Sequence, residues 1–324
     1  MQPRIRAPSI RAPILGAGLL AAIAFTAFTP VAVSAVEPID QREPVRQPAE
    51  ETDPEAVAEL LRELASRNRA GSEQPAAPTP EPVPEPTPVP PGYDVSYPQC
   101  GAELPEAFSF AIVGVNGGRV HSENPCLGPG EDPSQLLWAG PDADLYANTG
   151  NPGPQLSRYW PNGQTAPRAC DTDEAPGADT PDCAYVYGWN AAAHSYDIAL
   201  DAFIALGWAE PDADAVPGDA TWWLDVEVAN SWRGDRTLNV AALEGAVAYL
   251  ESRDVAEIGF YSTPRLWNRI TGGTDAFAEH PAWHAGARDL ADARKRCDDA
   301  AFTGGELRMV QWVEGGVDAN YRCL

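Results

Sequence analysis

Eight short apolar runs recur between residues 93 and 321, and this recurrence limits the fold more than any other feature of the chain. They are Tyr93–Ser96, Phe110–Asn116, Asp144–Asn148, Thr221–Val228, Glu257–Ser262, Ala282–Ala287, Leu307–Val313 and Val317–Tyr321. Runs this short suit strands better than helices. Two longer stretches carry helical periodicity. In Tyr185–Leu206, Ala191, Ile198, Ala202 and Leu206 mark one face. In Asn239–Arg253, Val240, Leu243, Val247 and Leu250 follow 3-4-3 spacing, and Asn239 stands where it can cap the start. Strands alternating with helices predict an α/β fold with a parallel sheet, and eight strands predict closure into a TIM-like barrel. The last three runs follow one another with little room for full helices. Residues 150–183 lack periodicity, are rich in Pro, Gly and Asp, and hold two cysteines, which predicts a long stapled loop.

The prolines set the domain map. Nine of the seventeen residues from Pro75 to Pro91 are proline, a composition that favours extended polyproline II and a semi-rigid spacer. Residues 36–91 read as a Pro-rich disordered linker, with one short helical pattern at 54–69 carried by Val57, Leu60, Leu61 and Leu64. Before it, Arg4, Arg6 and Arg11 precede an apolar run from Ile14 to Phe28, and Val33-Ser34-Ala35 offers small residues. That order is expected of a secretory signal peptide over residues 1–35, with cleavage after Ala35. An uncleaved N-terminal membrane anchor is the alternative. No later stretch approaches spanning length. The folded domain is then 92–324, secreted or cell-wall associated.

All six cysteines, Cys100, Cys126, Cys170, Cys183, Cys297 and Cys323, lie in that domain. An even number in an exported chain predicts three disulfides, for which 15 pairings are possible and pairing between sequence neighbours is the simplest. No Cys or His spacing suggests a metal site, and no cofactor is expected. The formal net charge is −25, of which −21 falls in 92–324. That excludes binding to the phosphates of nucleic acid by a basic face, and attachment to anionic lipid by bulk attraction.

The segment Thr221-Trp222-Trp223-Leu224-Asp225-Val226-Glu227-Val228 carries the most chemistry. On a strand, Asp225 and Glu227 share one side, while Leu224, Val226 and Val228 face covering helices. An inward acidic pair at the C-terminal end of a barrel strand sits where barrel enzymes hold their active sites. Apolar surroundings from Trp222 and Trp223, and the like charge of Asp225, are expected to raise the Glu227 pKa, as a general acid requires. Asp94 in the first strand and Asp318 in the last would become neighbours on closure. Tyr97, Trp160, Trp232, Tyr261, Trp283 and Trp312 fall near strand ends or loops, where aromatic faces can stack on sugar rings, and Asn148 and Asn151 can bond hydroxyls.

Together these segments carry a resemblance. Gly-Tyr-Asp-Val-Ser-Tyr-Pro-Gln at 92–99 resembles the opening strand of family 25 glycoside hydrolases, the muramidases of the lysozyme type. Leu224-Asp225-Val226-Glu227 resembles their catalytic strand, Ile258-Gly259-Phe260-Tyr261-Ser262 the next one, and Val310-Gln311-Trp312 with Val317-Asp318-Ala319-Asn320-Tyr321 the last two. The resemblance implies an irregular barrel of about five β/α units followed by three strands. It implies cleavage of the bond after N-acetylmuramic acid in peptidoglycan. Glu227 would be the proton donor, Asp225 would orient the N-acetyl group or stabilise charge, and Asp94 and Asp318 would hold substrate or assist. Tyr97, Asn148, Trp232, Tyr261, Trp283, Gln311 and Trp312 would line the glycan site. The second and third strands end differently from the family pattern, at Val115-Asn116-Gly117-Gly118-Arg119 and Tyr146-Ala147-Asn148-Thr149-Gly150, and the 150–183 insertion is foreign to it. The expected partner is a cell-wall polysaccharide, met by a monomer. The alternative is a catalytically inactive glycan-binding module of the same fold.

Overall fold

The computed structural model describes Glu55, Glu59, Arg62 and residues 89–130, 134–170, 177–216 and 219–323. The chain divides into two units, Met1–Val83 and Pro84–Leu324. In the first, the three described residues are helical. The expected signal peptide at 1–35, the linker to residue 88 and the remainder of the 54–69 segment lie outside the described residues.

The second unit is a closed eight-stranded barrel in sequence order. Its strands are β1 (Gly92–Val95), β2 (Ala111–Gly114), β3 (Asp144–Asn148), β4 (Thr221–Asp225), β5 (Glu257–Ser262), β6 (Ala282–Ala287), β7 (Leu307–Glu314) and β8 (Val317–Arg322). Neighbours are parallel from β1 to β7, and β8 runs antiparallel to both β7 and β1. Five helices cover the outside: α1 (Gln135–Ala139), α2 (Pro181–Ala205), α3 (Arg236–Glu251), α4 (Pro264–Thr271) and α5 (Leu290–Arg296). The hairpin of β7 and β8 follows from the two-residue Gly315-Gly316 turn, both at positive φ, a connection too short for a parallel crossover.

Alternation along the strands sorts the side chains. Outward residues such as Val113, Leu145, Leu224 and Phe260 pack with Tyr196 and Phe203 of α2, Leu243 and Val247 of α3 and Trp267 of α4 in the main core. Each fully buried side chain of this size contributes about 1.5–3 kcal/mol. Inward residues form layers. Ile112, Trp223, Trp283 and Met309 cluster across the barrel's middle. The outer helices α2 and α3 approach closely at two glycines. A Cβ on Gly188 would stand 1.8 Å from the Ala242 carbonyl oxygen, and one on Gly245 would stand 1.9 Å from that of Tyr185.

Helix starts differ from the sequence expectation in one place. Asn239 does not cap α3: Asp235 does, accepting from the Thr237 amide at 3.0 Å. Asn239 lies a turn inside, fully buried, and its Nδ2 donates to the carbonyls of Arg233 (3.0 Å) and Ile270 (2.9 Å). Three disulfides join Cys100 to Cys126, Cys170 to Cys183 and Cys297 to Cys323, the sequence-neighbour pairing. The second ties the loop after β3 to the first turn of α2, where Thr180 caps and Pro181 occupies the start.

Candidate active site

The C-terminal ends of the parallel strands frame a polar cleft of about 200 Å³. Asp94, Asp225, Glu227 and Asp318 all line it. Asp94 on β1 stands directly opposite Asp318 on β8, because closure of the barrel makes the first and last strands antiparallel neighbours. Asp225 is the last residue of β4, in register with Asn148 on β3 and Tyr261 on β5. Glu227 lies just beyond the strand rather than within it. Val226 still donates its amide to the Tyr261 carbonyl at 2.9 Å, and the chain then turns. The Glu227 carbonyl accepts from the Asn230 amide (3.3 Å) and from the Trp232 indole (2.7 Å), which fixes the turn. Ending the strand here also changes Val228, which is exposed instead of facing the helices.

Asp94 and Asp225 are buried, while Glu227 and Asp318 are partly open. Asp94 accepts from Gln311 Nε2 (2.9 Å) and Asn320 Nδ2 (2.7 Å). Gln311 in turn accepts from the Tyr261 hydroxyl at 2.8 Å, and Asn320 from the Trp283 indole at 2.9 Å. This network locks five inward side chains from β1, β5, β6, β7 and β8. Asp225 accepts from Asn148 Nδ2 through one carboxylate oxygen, and hydrogen bonding by Asn148 and Asn230 offsets only part of the rise that burial imposes on its pKa. Among the described residues, no arginine, lysine or histidine forms an ion pair with any of the four acids.

Burial without a countercharge sets the electrostatics. It raises the pKa of all four carboxyls, and like charges add to it for Asp94, Asp225 and Glu227. For Asp94 the second cause is the charge of Asp318, and for Asp225 it is the charge of Glu227. For Glu227 the expected direction holds but the partner differs. After burial, the charge that raises it is that of Asp318 across the mouth. Trp222 contributes no wall here: it faces the helices, stacked on Tyr196, while Trp223 points inward one layer below the acids. Burial and like charge both favour the protonated form of these acids, the direction a general acid requires.

The structure separates the aromatic candidates. Tyr97, Asn148, Tyr261, Trp283 and Gln311 line the cleft. Trp312 does not: strand alternation turns it outward, buried against Ala293 and Leu307, with its indole on Glu314. Trp232 lies outside the cleft lining and holds the Glu227 turn instead. Trp160 is buried and stacked on Tyr187, and Asn151 is fully buried beside Ser231, so neither faces the cleft. Sequence reasoning missed Tyr146, Gln99 and Asn230, which line the cleft, and Asn320, which supports Asp94. Period-two spacing from Asn148 and Asp318 was signal enough for Tyr146 and Asn320. Gln99 ends the 92–99 motif but stands on a short 3-10 helix past the strand, and nothing in the sequence pattern singles out Asn230, which stands on a turn.

Comparison with known proteins places this geometry. Residues 219–299 match the family model described as Lysozyme-like protein 1, a segment that includes Asp225 and Glu227 and leaves Asp94 and Asp318 outside. The chain is 37% identical over 96 residues to probable GH family 25 lysozyme 4 of Dictyostelium discoideum, covering 29% of this chain and 42% of that protein. It is 38% identical over 63 residues to probable GH family 25 lysozyme 2 of the same organism, covering 19% and 29%. The chain thus spans less than half the length of the curated relatives it matches. Among solved structures it aligns with the muramidase from Acremonium alcalophilum (TM-score 0.42, 15% identity, 72% of this chain and 93% of that one). It also aligns with the bacterial lysozyme from Streptomyces coelicolor (TM-score 0.41, 16% identity, 73% and 93%). These scores are too low to establish a shared fold by themselves. By sequence, the chain is similar to the family 25 lysozymes, and its lysozyme-like segment is the one that carries Asp225 and Glu227.

Proposed function

We propose that the chain is an exported glycoside hydrolase that cleaves peptidoglycan or a related cell-wall glycan by carboxylate acid/base catalysis. The observation that carries this reading is the convergence of Asp94, Asp225, Glu227 and Asp318 on one mouth without a countercharge. Glu227 is the proton donor to the leaving oxygen: it is the more open member of the β4 pair and its pKa is raised. Asp225, held by Asn148, orients the substrate's N-acetyl group or stabilises positive charge at the reacting carbon. Asp94 and Asp318 hold sugar hydroxyls and keep the proton count of the set high. Tyr97, 45% exposed at the rim, offers a stacking face. Three disulfides fit an oxidising, extracellular setting. Among the described residues no helix is long and apolar enough to cross a membrane.

The test is digestion of a panel of purified cell walls, with reducing ends measured and products identified by mass spectrometry. The reading expects soluble fragments with new reducing ends. Walls that are bound but never cut would replace the hydrolase with a glycan-binding module.

A further inference from the structure

A second groove, of about 660 Å³, adjoins the cleft. The two share Ala229 and Asn230 as a common wall. The groove is built by the turn after β2 and by the loop after β3, the region that departs from the family pattern. Its charge is the reverse of its surroundings. The domain carries −21, yet among the described residues no aspartate or glutamate lines this groove, and the charged residues that do are Arg119 and Arg158. Among the described residues neither guanidinium has a carboxylate partner. Arg158 lies over the Tyr159 ring at 4.7 Å and donates to its hydroxyl at 2.6 Å, which leaves most of its donors free. Tyr159 is stacked at 4.2 Å on His121 and remains 40% exposed. Asn230 is buried to 7% exposure, and its side chain faces Asp225, whose pKa it lowers by hydrogen bonding.

We propose that this groove receives a carboxylate-bearing substituent of the glycan whose backbone occupies the adjoining cleft. Arg119 and Arg158 supply forked donors that match a carboxylate, and the shared wall at Ala229 and Asn230 keeps that carboxylate next to the glycan backbone in the cleft. The inference rests on the glycan reading of the cleft and deepens it. A domain this acidic repels an anionic polymer at long range, so a local cationic groove is what allows a carboxylate to approach within contact distance.

Binding is measured by calorimetry on the full chain carrying Glu227→Gln, so that no turnover is required. Three probes are used: chitotetraose, which has no carboxylate, the N-acetylglucosamine–N-acetylmuramic acid tetrasaccharide with free lactyl carboxylates, and the same tetrasaccharide bearing stem tetrapeptides. At least one carboxylate-bearing probe is expected to bind about tenfold tighter than chitotetraose, and the preferred one identifies the carboxylate's source. In the Arg119→Ala/Arg158→Ala background that preference is expected to vanish while chitotetraose affinity stays. Both arginines are exposed, and circular dichroism checks that the variant folds. Equal affinity for all three probes, a preference that survives the double substitution, or no binding at all overturns the inference. Failure of the hydrolase reading shows separately, as wild-type protein that releases no reducing ends from any wall.

Discussion

The two ends of the barrel interior hold the same residue types with and without cationic partners. At the N-terminal end, Asp144 accepts from Arg322 at 2.9 Å and Glu257 from Arg308 at 2.8 Å, both across strands. Asp144 also accepts from the Thr221 amide at 3.1 Å. At the C-terminal end, Asp94, Asp225, Glu227 and Asp318 face one another with no cation between them. Asp144 and Asp225 are equally deep, at 7% and 5% exposure. A chain able to place arginines inside one mouth has left the other mouth unneutralised, at a cost in stability. The paired end ties strands together by ion pairs, and the unpaired end is where we propose the chemistry takes place.

Perturbing the unpaired end should give the largest effects. Glu227→Gln is expected to lower release of reducing ends by roughly 10²–10⁴, the usual contribution of a general acid, with the circular dichroism spectrum retained. Activity within a few-fold of wild type would remove Glu227 from its role.

Period two placed Asp225 inward and paired Asp94 with Asp318, because strand alternation and closure are backbone properties that every residue obeys. Trp312 is a candidate by its place near a strand end and by the family resemblance, and alternation turns it outward because its neighbour Gln311 faces inward. Features that depend on turns were beyond reach. The strand ends at Asp225, so Val228 swings out to solvent and Glu227 sits on a bend that Trp232 ties down. Asn239 sits where a cap would be read, yet three hydrogen bonds from distant backbone hold it inside α3. The arginine groove takes its walls from the loops after β2, β3 and β4 and from Tyr187 of α2, and the loop sequences have no period.

The next effect is on stability and its pH dependence. Burial raises the pKa of Asp94 and Asp225 above their unfolded value of about 4, so the folded state binds more protons than the unfolded one. Their contribution is therefore most favourable at or below about pH 4 and is lost as pH rises through the raised folded values. Wild-type Tm should fall between pH 5 and 9, and the Asp94→Asn/Asp225→Asn variant should show a flatter slope over that range. Equal slopes would mean that the cleft acids are not the proton-binding groups.

The smallest effect belongs to the paired end's rim. Arg308 is about one-third exposed, so Arg308→Gln should cost no more than about 1 kcal/mol, and less in high salt. Chemical denaturation at two salt concentrations measures it. Hydrolysis should be unchanged, since Arg308 is absent from the cleft.

The comparison is tested most directly by two isosteric substitutions assayed side by side, Asp225→Asn and Asp144→Asn, with hydrolysis rate and Tm recorded for both at pH 7. The account predicts that Asp225→Asn lowers the rate by about 10²–10³ while Tm holds or rises, and that Asp144→Asn lowers Tm by roughly 2–4 °C per lost kcal/mol while the rate stays within about twofold. An active Asp225→Asn enzyme, or an Asp144→Asn protein that loses activity without losing stability, would contradict the division of labour between the two mouths.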